Sequence, residues 1–267
     1  MSINRRQFLR RAGMLTALGL GGTFAFTGFR KKEVAVAAEY GIEKKADLAS
    51  RWAMVVDMSK FKSEDDYKRV QEACHTLHNV PEEIGNTKEE IKWIWKDDYH
   101  HTFGAGQNKY LDEHVIEAPF MVLCNHCENP PCVKACPTQA TFKRRDGIVA
   151  MDFHRCIGCR FCMAACPFGA RSFNFRDPRP FIKEVSTEYP TRTAGVVEKC
   201  NFCYERLAKG QKPACVETSK GGLIFGDLDD PNSEVRKIIS TKFTIRRKPE
   251  LGTQPSVYYL VGGDDNA

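Results

Sequence analysis

After its first forty residues the chain has no apolar run that approaches the roughly 18 residues needed to cross a bilayer. Its body also lacks an excess of positive charge. The formal net charge is +6, but residues 1–37 hold seven Arg and Lys against one Glu, which leaves 33 of 40 basic and 33 of 34 acidic residues elsewhere. These absences exclude a chain that crosses the membrane repeatedly. They also argue against nucleic acid as a partner, since that would need a basic stripe in the folded body.

The signature motifs of common enzyme classes are missing as well. There is no Gly-rich nucleotide-binding turn after a strand, no nucleophile elbow and no His-Glu-x-x-His helix. No Cys-x-x-Cys pair is followed by His, which excludes covalently attached haem. We therefore predict no catalytic residues and no substrate site on this chain.

The N-terminal segment has the form of an export signal. Arg5 and Arg6 precede a modestly apolar stretch, residues 12–29, and residues 35–37, Ala-Val-Ala, offer a small-residue cleavage site. We predict a twin-arginine signal over residues 1–37, and a mature protein on the periplasmic, extracytoplasmic face of the cytoplasmic membrane. This route carries folded proteins, which suits a chain whose cofactor is inserted in the cytoplasm. The alternative is a signal that is retained as a membrane anchor, because the apolar stretch is just long enough to span.

What the chain has in abundance is cysteine, twelve in 267 residues. The second of two blocks has the spacing of bacterial ferredoxins, Cys-x2-Cys-x2-Cys-x3-Cys-Pro, in which three thiolates hold one 4Fe-4S cluster and the fourth ligates the neighbouring cluster. The first block differs only in one spacing, and the crossed rule applied to both predicts two sites. Site A consists of Cys124, Cys127, Cys132 and Cys166. Site B consists of Cys136, Cys156, Cys159 and Cys162.

A third site is assembled from the cysteines that lie outside the two blocks. Site C consists of Cys74, Cys200, Cys203 and Cys215. Twelve cysteines thus divide into three sets of four. His75 and His78 flank Cys74 on a predicted helix and are alternative ligands of this site.

Two other uses of the cysteines stay open. Structural zinc usually takes two Cys-x2-Cys pairs separated by a longer loop, and it needs no third and fourth cysteine close by. Disulfides are compatible with an exported protein, but adjacent Cys-x2-Cys pairs make poor long-range cross-links. The spacing therefore favours iron-sulfur ligation over both.

Between the cysteines the elements are short and mixed, which predicts an α+β fold. We expect strands at residues 51–57, 118–123, 171–175 and 256–261, a hairpin at 141–151 that turns at Asp146-Gly147, and helices at 64–77, 204–209 and 233–240. Residues 82–114 are mostly polar and include Trp93, Trp95 and the pair His100 and His101, and we expect them to form an irregular insertion.

Taken together, the cysteine blocks resemble the four-cluster ferredoxin-type electron-transfer subunits of membrane-bound respiratory complexes, over roughly residues 50–261. The resemblance implies tandem bacterial-ferredoxin-like iron-sulfur domains. The central two-cluster domain would comprise residues 116–194. An outer unit would combine residues 38–115, including the insertion, with residues 195–267.

The chain departs from this family at one of the four clusters. Residues 58–67, where the family's first motif should lie, contain no cysteine, and Ser219 stands where its fourth motif should end. Crossed ligation would assign all of these positions to one cluster. We therefore predict three 4Fe-4S clusters, with Ser219 as an oxygen ligand of a fourth as the alternative.

Within that family, four stretches resemble the DsrO-type iron-sulfur subunit of DsrMKJOP complexes: residues 154–175, 195–203, 225–231 and 251–259. The resemblance implies an electron carrier of dissimilatory sulfur or sulfite metabolism that associates with the membrane through its partners. These would be an integral, quinone-interacting NrfD-like subunit and a multihaem cytochrome c. The alternatives are the equivalent subunit of a polysulfide, tetrathionate or nitrite-type complex and, less favoured, a zinc-binding structural subunit.

Overall fold

The computed structural model describes residues 48–82, 85–104 and 110–260. The predicted twin-arginine signal, its cleavage site and the alternative anchor lie outside these residues. Within them, no helix combines the length and the apolar character that a membrane crossing requires.

The described elements are short, and only two of the helices exceed five residues. The helices are α1 Glu64–Leu77, α2 Tyr99–Phe103, α3 Glu113–Glu117, α4 Pro131–Lys134, α5 Phe161–Ala164, α6 Tyr204–Leu207, α7 Ala214–Thr218 and α8 Glu234–Thr241. The strands are β1 Trp52–Asp57, β2 Ile94–Asp97, β3 Phe120–Leu123, β4 Thr141–Lys143, β5 Val149–Met151, β6 Ser172–Phe173, β7 Val197–Glu198, β8 Leu223–Asp227, β9 Thr244–Ile245 and β10 Val257–Leu260. Mixed helices and strands confirm the predicted α+β class, whereas the tandem arrangement of ferredoxin-like domains stays a prediction.

The largest sheet joins the two ends of the described chain. Its strand order is β8-β1-β10-β9, with β1 parallel to β10 and antiparallel to β8. Successive residues of β1 point to opposite faces, so that Ala53 and Val55 pack with Val235 of α8 while Met54 and Val56 belong to the main core. An early strand therefore lies between two strands from the C-terminal part. This pairing is compatible with the two-part outer unit, whose bounds remain predictions.

Helix α1 carries Cys74 into the core. The carboxylate of Asp66 caps its first turn by accepting hydrogen bonds from the backbone N–H of Ser63 at 3.0 Å and from its hydroxyl at 2.9 Å. Its buried residues are Tyr67, Val70 and Cys74. Their spacing of three and four places them on one side of the helix, which packs against α7. The predicted bounds of this helix are confirmed.

A buried ion pair fixes the chain after α1. The side chains of Arg192 and Glu198 are both fully buried and form a salt bridge. Arg192 also donates to the carbonyl oxygens of His78 and Asn79, and the indole N–H of Trp93 donates to Glu198 at 2.7 Å. The pair thus connects Trp93 and residues 192–198 to the C-terminal end of the helix that carries Cys74.

The structure differs from the irregular insertion that we predicted at residues 82–114. Strand β2 pairs antiparallel with β3, with Trp95 opposite Val122, and Ile94 is only 1% exposed. Helix α2 follows directly, with Asp98 accepting a hydrogen bond from the N–H of His101 at 2.8 Å. The polar composition concealed a strand, because the partner that pairs with it lies more than twenty residues further along the chain.

The other predicted elements are present with shifted ends. The hairpin is β4 and β5, and Gly147 in its turn has φ 82°. Helix α8 starts and ends one residue later than predicted, and α6 ends at Leu207. The strand at 171–175 shrinks to β6, and the terminal strand is β10, with Val261 outside the described residues.

Candidate iron-sulfur sites

All twelve cysteines lie in the described part of the chain, and all are free thiols. The structure therefore contains no disulfide among them. Eight are buried, three are half-buried, and one, Cys159, is exposed. Free thiols gathered in a protein interior suit metal ligation better than packing, because ordinary cores are not built from cysteine.

Three of the four Cys-x-x-Cys loops, those that begin at Cys124, Cys156 and Cys200, share a left-handed residue. It stands before the second cysteine of each: His126 has φ 42°, Gly158 has φ 70° and Phe202 has φ 54°. Successive N–H groups around a left-handed residue form an anion-binding concavity that recurs at iron-sulfur sites. Because a bulky side chain is rarely found at positive φ, His126 and Phe202 indicate that the loop itself is constrained by function.

Short helices position the remaining cysteines. Cys132 lies in α4, Cys162 in α5 and Cys215 in α7. Helices α4 and α5 pack against each other. Burial raises the pKa of Cys162, and negative charge on Cys132 raises it further. The packing of these helices therefore brings one thiol of site A near one thiol of site B.

The structure gathers the four thiols of site A around one cavity. All four cysteines line it, together with side chains that include Val149, Phe168 and Arg171. Burial and the negative charge of the other three thiols raise the pKa of Cys127 to about 12. Thiols this crowded are held as thiolates only by a positive partner, so the donor set fits an iron-sulfur core.

Site C brings Cys74 together with three thiols from the C-terminal part. All four of its cysteines are buried. Burial raises the pKa of Cys74, and the charges of Cys215, Cys200 and Cys203 raise it further. The backbone N–H of Phe202 points at the Sγ of Cys200 at 3.5 Å, as expected around an anionic sulfur.

The two histidines beside Cys74 have hydrogen-bond partners of their own, although Nδ1 of His78 also lies 3.7 Å from the Sγ of Cys74. One ring nitrogen of His78 lies 2.9 Å from the carbonyl oxygen of Cys74 and the other lies 2.8 Å from the carboxylate of Glu205. A ring nitrogen of His78, the thiol of Cys203 and the carboxylate of Glu205 also lie within 4.8 Å of one another. With both nitrogens in hydrogen bonds, His78 orients Glu205 beside the site. His75 has a ring nitrogen 3.3 Å from the carbonyl oxygen of Ile94.

Site B is the site with a solvent-exposed cysteine. Cys162 belongs to a small apolar cluster, against which Cys136 and Cys156 pack. Burial opposes a thiolate at Cys136, yet hydrogen bonds that include one from the backbone of Thr141 lower its pKa overall. Cys159 is exposed. Of the four predicted cysteines of site B, one is thus buried, two are half-buried and one lies at the surface.

Site A lies between the other two sites. Negative charge on its Cys132 raises the pKa of Cys162 in site B. After burial, negative charge on Cys124 of site A is the largest cause that raises the pKa of Cys200 in site C. The ring of His126, in the site A loop, stacks on Phe202, in the site C loop, with 3.7 Å between centroids. The three sites therefore follow one another in the order B, A, C.

Aromatic side chains and a serine stand where the family pattern would put the ligands of a fourth cluster. The hydroxyl of Ser219 donates to the carbonyl oxygen of Val216 at 2.8 Å and accepts from the N–H of Leu223 at 2.9 Å. Phe61 lies against Gly222, where a Cβ would be only 2.8 Å from its ring, and packs on Tyr67 with 5.1 Å between ring centroids. These contacts give Ser219 a structural role in the turn after α7.

Sequence reasoning missed two buried cations next to these sites. We expected Arg171 only as the start of a strand, and Lys199 had no assigned role. The guanidinium of Arg171 donates to the Sγ of Cys132 at 3.1 Å, and Lys199 donates to the carbonyl oxygen of Cys200 at 2.7 Å. The sequence feature that could have revealed them is a charged residue within a short apolar run, close to a predicted ligand cysteine.

Comparison with known proteins agrees with this arrangement. Residues 118–178 match the family described as a 4Fe-4S dicluster domain. This segment contains all eight cysteines of sites A and B. The central part of the chain is thus a 4Fe-4S dicluster domain of ferredoxin type.

Relatives extend the similarity over the whole chain. It is 38% identical to the Hdr-like menaquinol oxidoreductase iron-sulfur subunit 1 of Archaeoglobus fulgidus, over 98% of this chain and 100% of that protein. It is 33% identical to the menaquinone reductase iron-sulfur cluster-binding subunit of Nitratidesulfovibrio vulgaris, over 79% of this chain and 88% of the relative. It is 47% identical to a tetrathionate reductase subunit of Salmonella typhimurium, over 54% of this chain and about half, 51%, of that protein. The chain belongs to this family of iron-sulfur subunits of oxidoreductase complexes.

Proposed function

We propose that this protein is an electron-transfer subunit that carries three 4Fe-4S clusters, at sites A, B and C, within a membrane-associated respiratory complex. One-electron exchange is the chemistry that these groups supply when bound. The observation that carries the proposal is the row of three four-cysteine sites, B, A and C, with one end at the surface. The chain holds the carriers in line and transforms no substrate of its own.

The two ends of the row differ in their surroundings. At site B the exposed Cys159 lies between Ile157 and Phe161, which are 66% and 61% exposed. Beside site C, a surface pocket of about 630 Å³ is lined by residues that include His75 and Thr76 of α1. We propose that one redox partner contacts each end. Site A, in the middle, is shielded from water by the packing around its cavity.

The structure favours three clusters over four. Phe61 and Tyr67 occupy the place where residues 58–67 would have carried the family's first motif. The hydrogen bonds of the Ser219 hydroxyl go to backbone groups of its own turn. A fourth cluster would therefore find no cysteine ligands at this position.

For the particular complex we propose a DsrO-type subunit, working between an integral NrfD-like membrane subunit and a multihaem cytochrome c. The support is the sequence resemblance, together with relatives that are subunits of menaquinol and menaquinone oxidoreductases. The twin-arginine pair supports a place on the extracytoplasmic face of the membrane. The second candidate, an equivalent subunit of a tetrathionate or polysulfide reductase, is supported by similarity to those subunits over about half of this chain.

The first experiment is iron and acid-labile sulfide analysis of anaerobically purified protein, with electron paramagnetic resonance (EPR) of the reduced sample. Three sites of four irons predict about 12 Fe and about 12 sulfides per chain. About 16 Fe would refute the loss of the fourth cluster, and zinc without sulfide would refute electron transfer altogether.

The complex itself is tested by solubilising native membranes and capturing the tagged chain. We expect a polytopic membrane subunit and a protein with a c-type haem spectrum to co-purify, and menaquinol to reduce the iron-sulfur signals. Co-purification of a large molybdopterin subunit instead would overturn the DsrO-type assignment in favour of the second candidate.

A further inference from the structure

Arg171 and Lys199 are buried cations without a carboxylate partner among the described residues. They are 5% and 2% exposed. Elsewhere the fold pairs a buried arginine with an acid, as in Arg192 and Glu198. A third buried cation, Arg247, donates to three backbone carbonyls, including that of Phe168 at 3.5 Å. An unpaired buried charge is costly, and the anionic groups that lie near Arg171 and Lys199 are the thiols of the cysteine sites.

Arg171 lies between sites A and B. Its guanidinium is held by the hydroxyl of Thr141 at 2.7 Å and contacts the Sγ of Cys132 at 3.1 Å. Burial opposes the charged form, but negative charge on Cys132, Cys162 and Cys124 raises the pKa of Arg171 overall. Two of those thiols belong to site A and one to site B, so the charge acts on both sites.

Lys199 lies between sites A and C. Its ammonium group donates to the carbonyl oxygens of Val149 and Cys200, and Val149 lines the site A cavity. Burial lowers the pKa of His126, which is part of the site A loop, and the charges of Lys199 and Arg171 lower it further. Both cations therefore act on the loop of site A. Arg171 lies on the side of site B, and Lys199 lies on the side of site C.

Neither outer site adjoins both of these buried cations. Lys199 lies beside Cys200 of site C, where the other nearby cation, Arg206, is paired with Glu217. Site C has the mostly buried carboxylate of Glu205 at its edge, whose negative charge raises the pKa of Cys74 and of Cys203. Site B opens to water at Cys159. The cation next to that cysteine, Arg160, is exposed, so that solvent and salt screen its charge.

We propose that Arg171 and Lys199 are potential-setting residues that give site A the highest reduction potential of the three, so that an electron in the chain rests at the middle site. The inference rests on the proposed function. Reduction adds one electron to a group that is already anionic, and no bond forms or breaks. Fixed positive charge in a poorly screened interior favours that added charge. In the test the electron comes from dithionite through mediators.

The experiment is an EPR-monitored redox titration of the full cluster-containing chain. The charge-removing variants are Arg171→Met and Lys199→Met, and Arg171→Lys keeps the charge at the first position. Arg160→Met is the matched control, since it makes the same change at an exposed arginine that adjoins a ligand cysteine. Iron and sulfide are measured in every sample.

The response to the two cations identifies the sites. Only site A lies between both, so its signal responds to Arg171→Met and to Lys199→Met, while each outer site responds to one variant at most. We expect that doubly responsive signal to be the one with the highest potential. Its equilibrium constant for reduction should fall at least tenfold in each variant, or about 59 mV for one electron, with less than a threefold change in Arg171→Lys and Arg160→Met.

Two results would overturn the proposal. One is a highest-potential signal that shifts less than threefold in Lys199→Met, or in an Arg171→Met variant that retains full iron. The other is a doubly responsive signal that is not the highest in potential. Should Arg171→Met lose iron, the shift of the highest-potential signal in Lys199→Met decides the outcome. Failure of the proposed function is distinct, because it would appear as missing iron and sulfide in the unmodified protein.

Discussion

At Gly158, in the Cys-x-x-Cys loop of site B, substitution by alanine should destabilise the folded protein. The φ of 70° at this glycine is strained for any side chain, and an added Cβ would lie 2.4 Å from the carbonyl oxygen of Gly195 and 3.2 Å from the ring of Phe173. The obstacle is backbone, and it is tied down: the N–H of Gly195 donates to the carbonyl oxygen of Asn174 at 2.7 Å. The Gly195 segment cannot yield without breaking this hydrogen bond.

The magnitude follows from two contributions. A non-glycine residue at positive φ costs about 1 kcal/mol, and overpacking against fixed atoms adds about 1–3 kcal/mol. Gly252→Ala is the matched control, because Gly252 has φ 64° and nothing within 4 Å of an added Cβ. Gly158→Ala should therefore lie about 2 kcal/mol below the control, or roughly 4–8 °C in melting temperature for a chain of this size.

The assay is thermal unfolding of cluster-containing protein at a fixed scan rate, with iron analysis of the same samples. We expect Gly158→Ala to lose the site B cluster, falling from about 12 to about 8 Fe per chain, while Gly252→Ala keeps about 12. Equal melting temperatures and equal iron contents in the two variants would show that the close approach to Gly195 does not constrain this loop, and the reasoning would be refuted.

Three further predictions concern the core and the other sites. Glu198→Gln leaves the buried guanidinium of Arg192 unpaired and should cost about 3–5 kcal/mol in unfolding free energy, whereas the double variant with Arg192→Met should recover part of that loss; urea titration checks both, and a fully additive double variant would contradict the pairing. Cys74→Ala should leave about 8 Fe per chain with sites A and B intact, and iron analysis showing about 12 would mean that another residue ligates site C. Ser219→Cys should leave iron at about 12 rather than 16, because residues 58–67 supply no cysteine to complete the ligand set; a gain of four irons would refute this.

The sequence was most informative where the structure is local. The spacing of the cysteine blocks depends on loops of two to four residues, and the amphipathic pattern with its capping residues determines α1, whose bounds were predicted correctly. The hairpin at residues 141–151 likewise follows from Asp146-Gly147 at its turn. Such features depend on neighbouring residues, so a single sequence is enough to predict them.

Pairings between distant segments were not predictable in this way. Strand β2 was hidden in a polar stretch because its stability comes from β3 and from the contact of Trp93 with Glu198. The left-handed conformation of His126 and Phe202 also escaped prediction, since glycine marks the equivalent position in only one of the three loops.

By itself, then, the sequence determined how many thiols the chain offers and predicted their division into three sets, because the spacing within each cysteine block is a local property. Only the tertiary structure decided that site A lies in the middle, that Phe61 and Tyr67 pack together where the family's first cysteine motif would lie, and that two buried cations adjoin site A. Those features arise where segments far apart in the chain pack together. The charges and side-chain volumes involved act between residues that are close in space but far apart in the chain, so residue spacing does not reveal them.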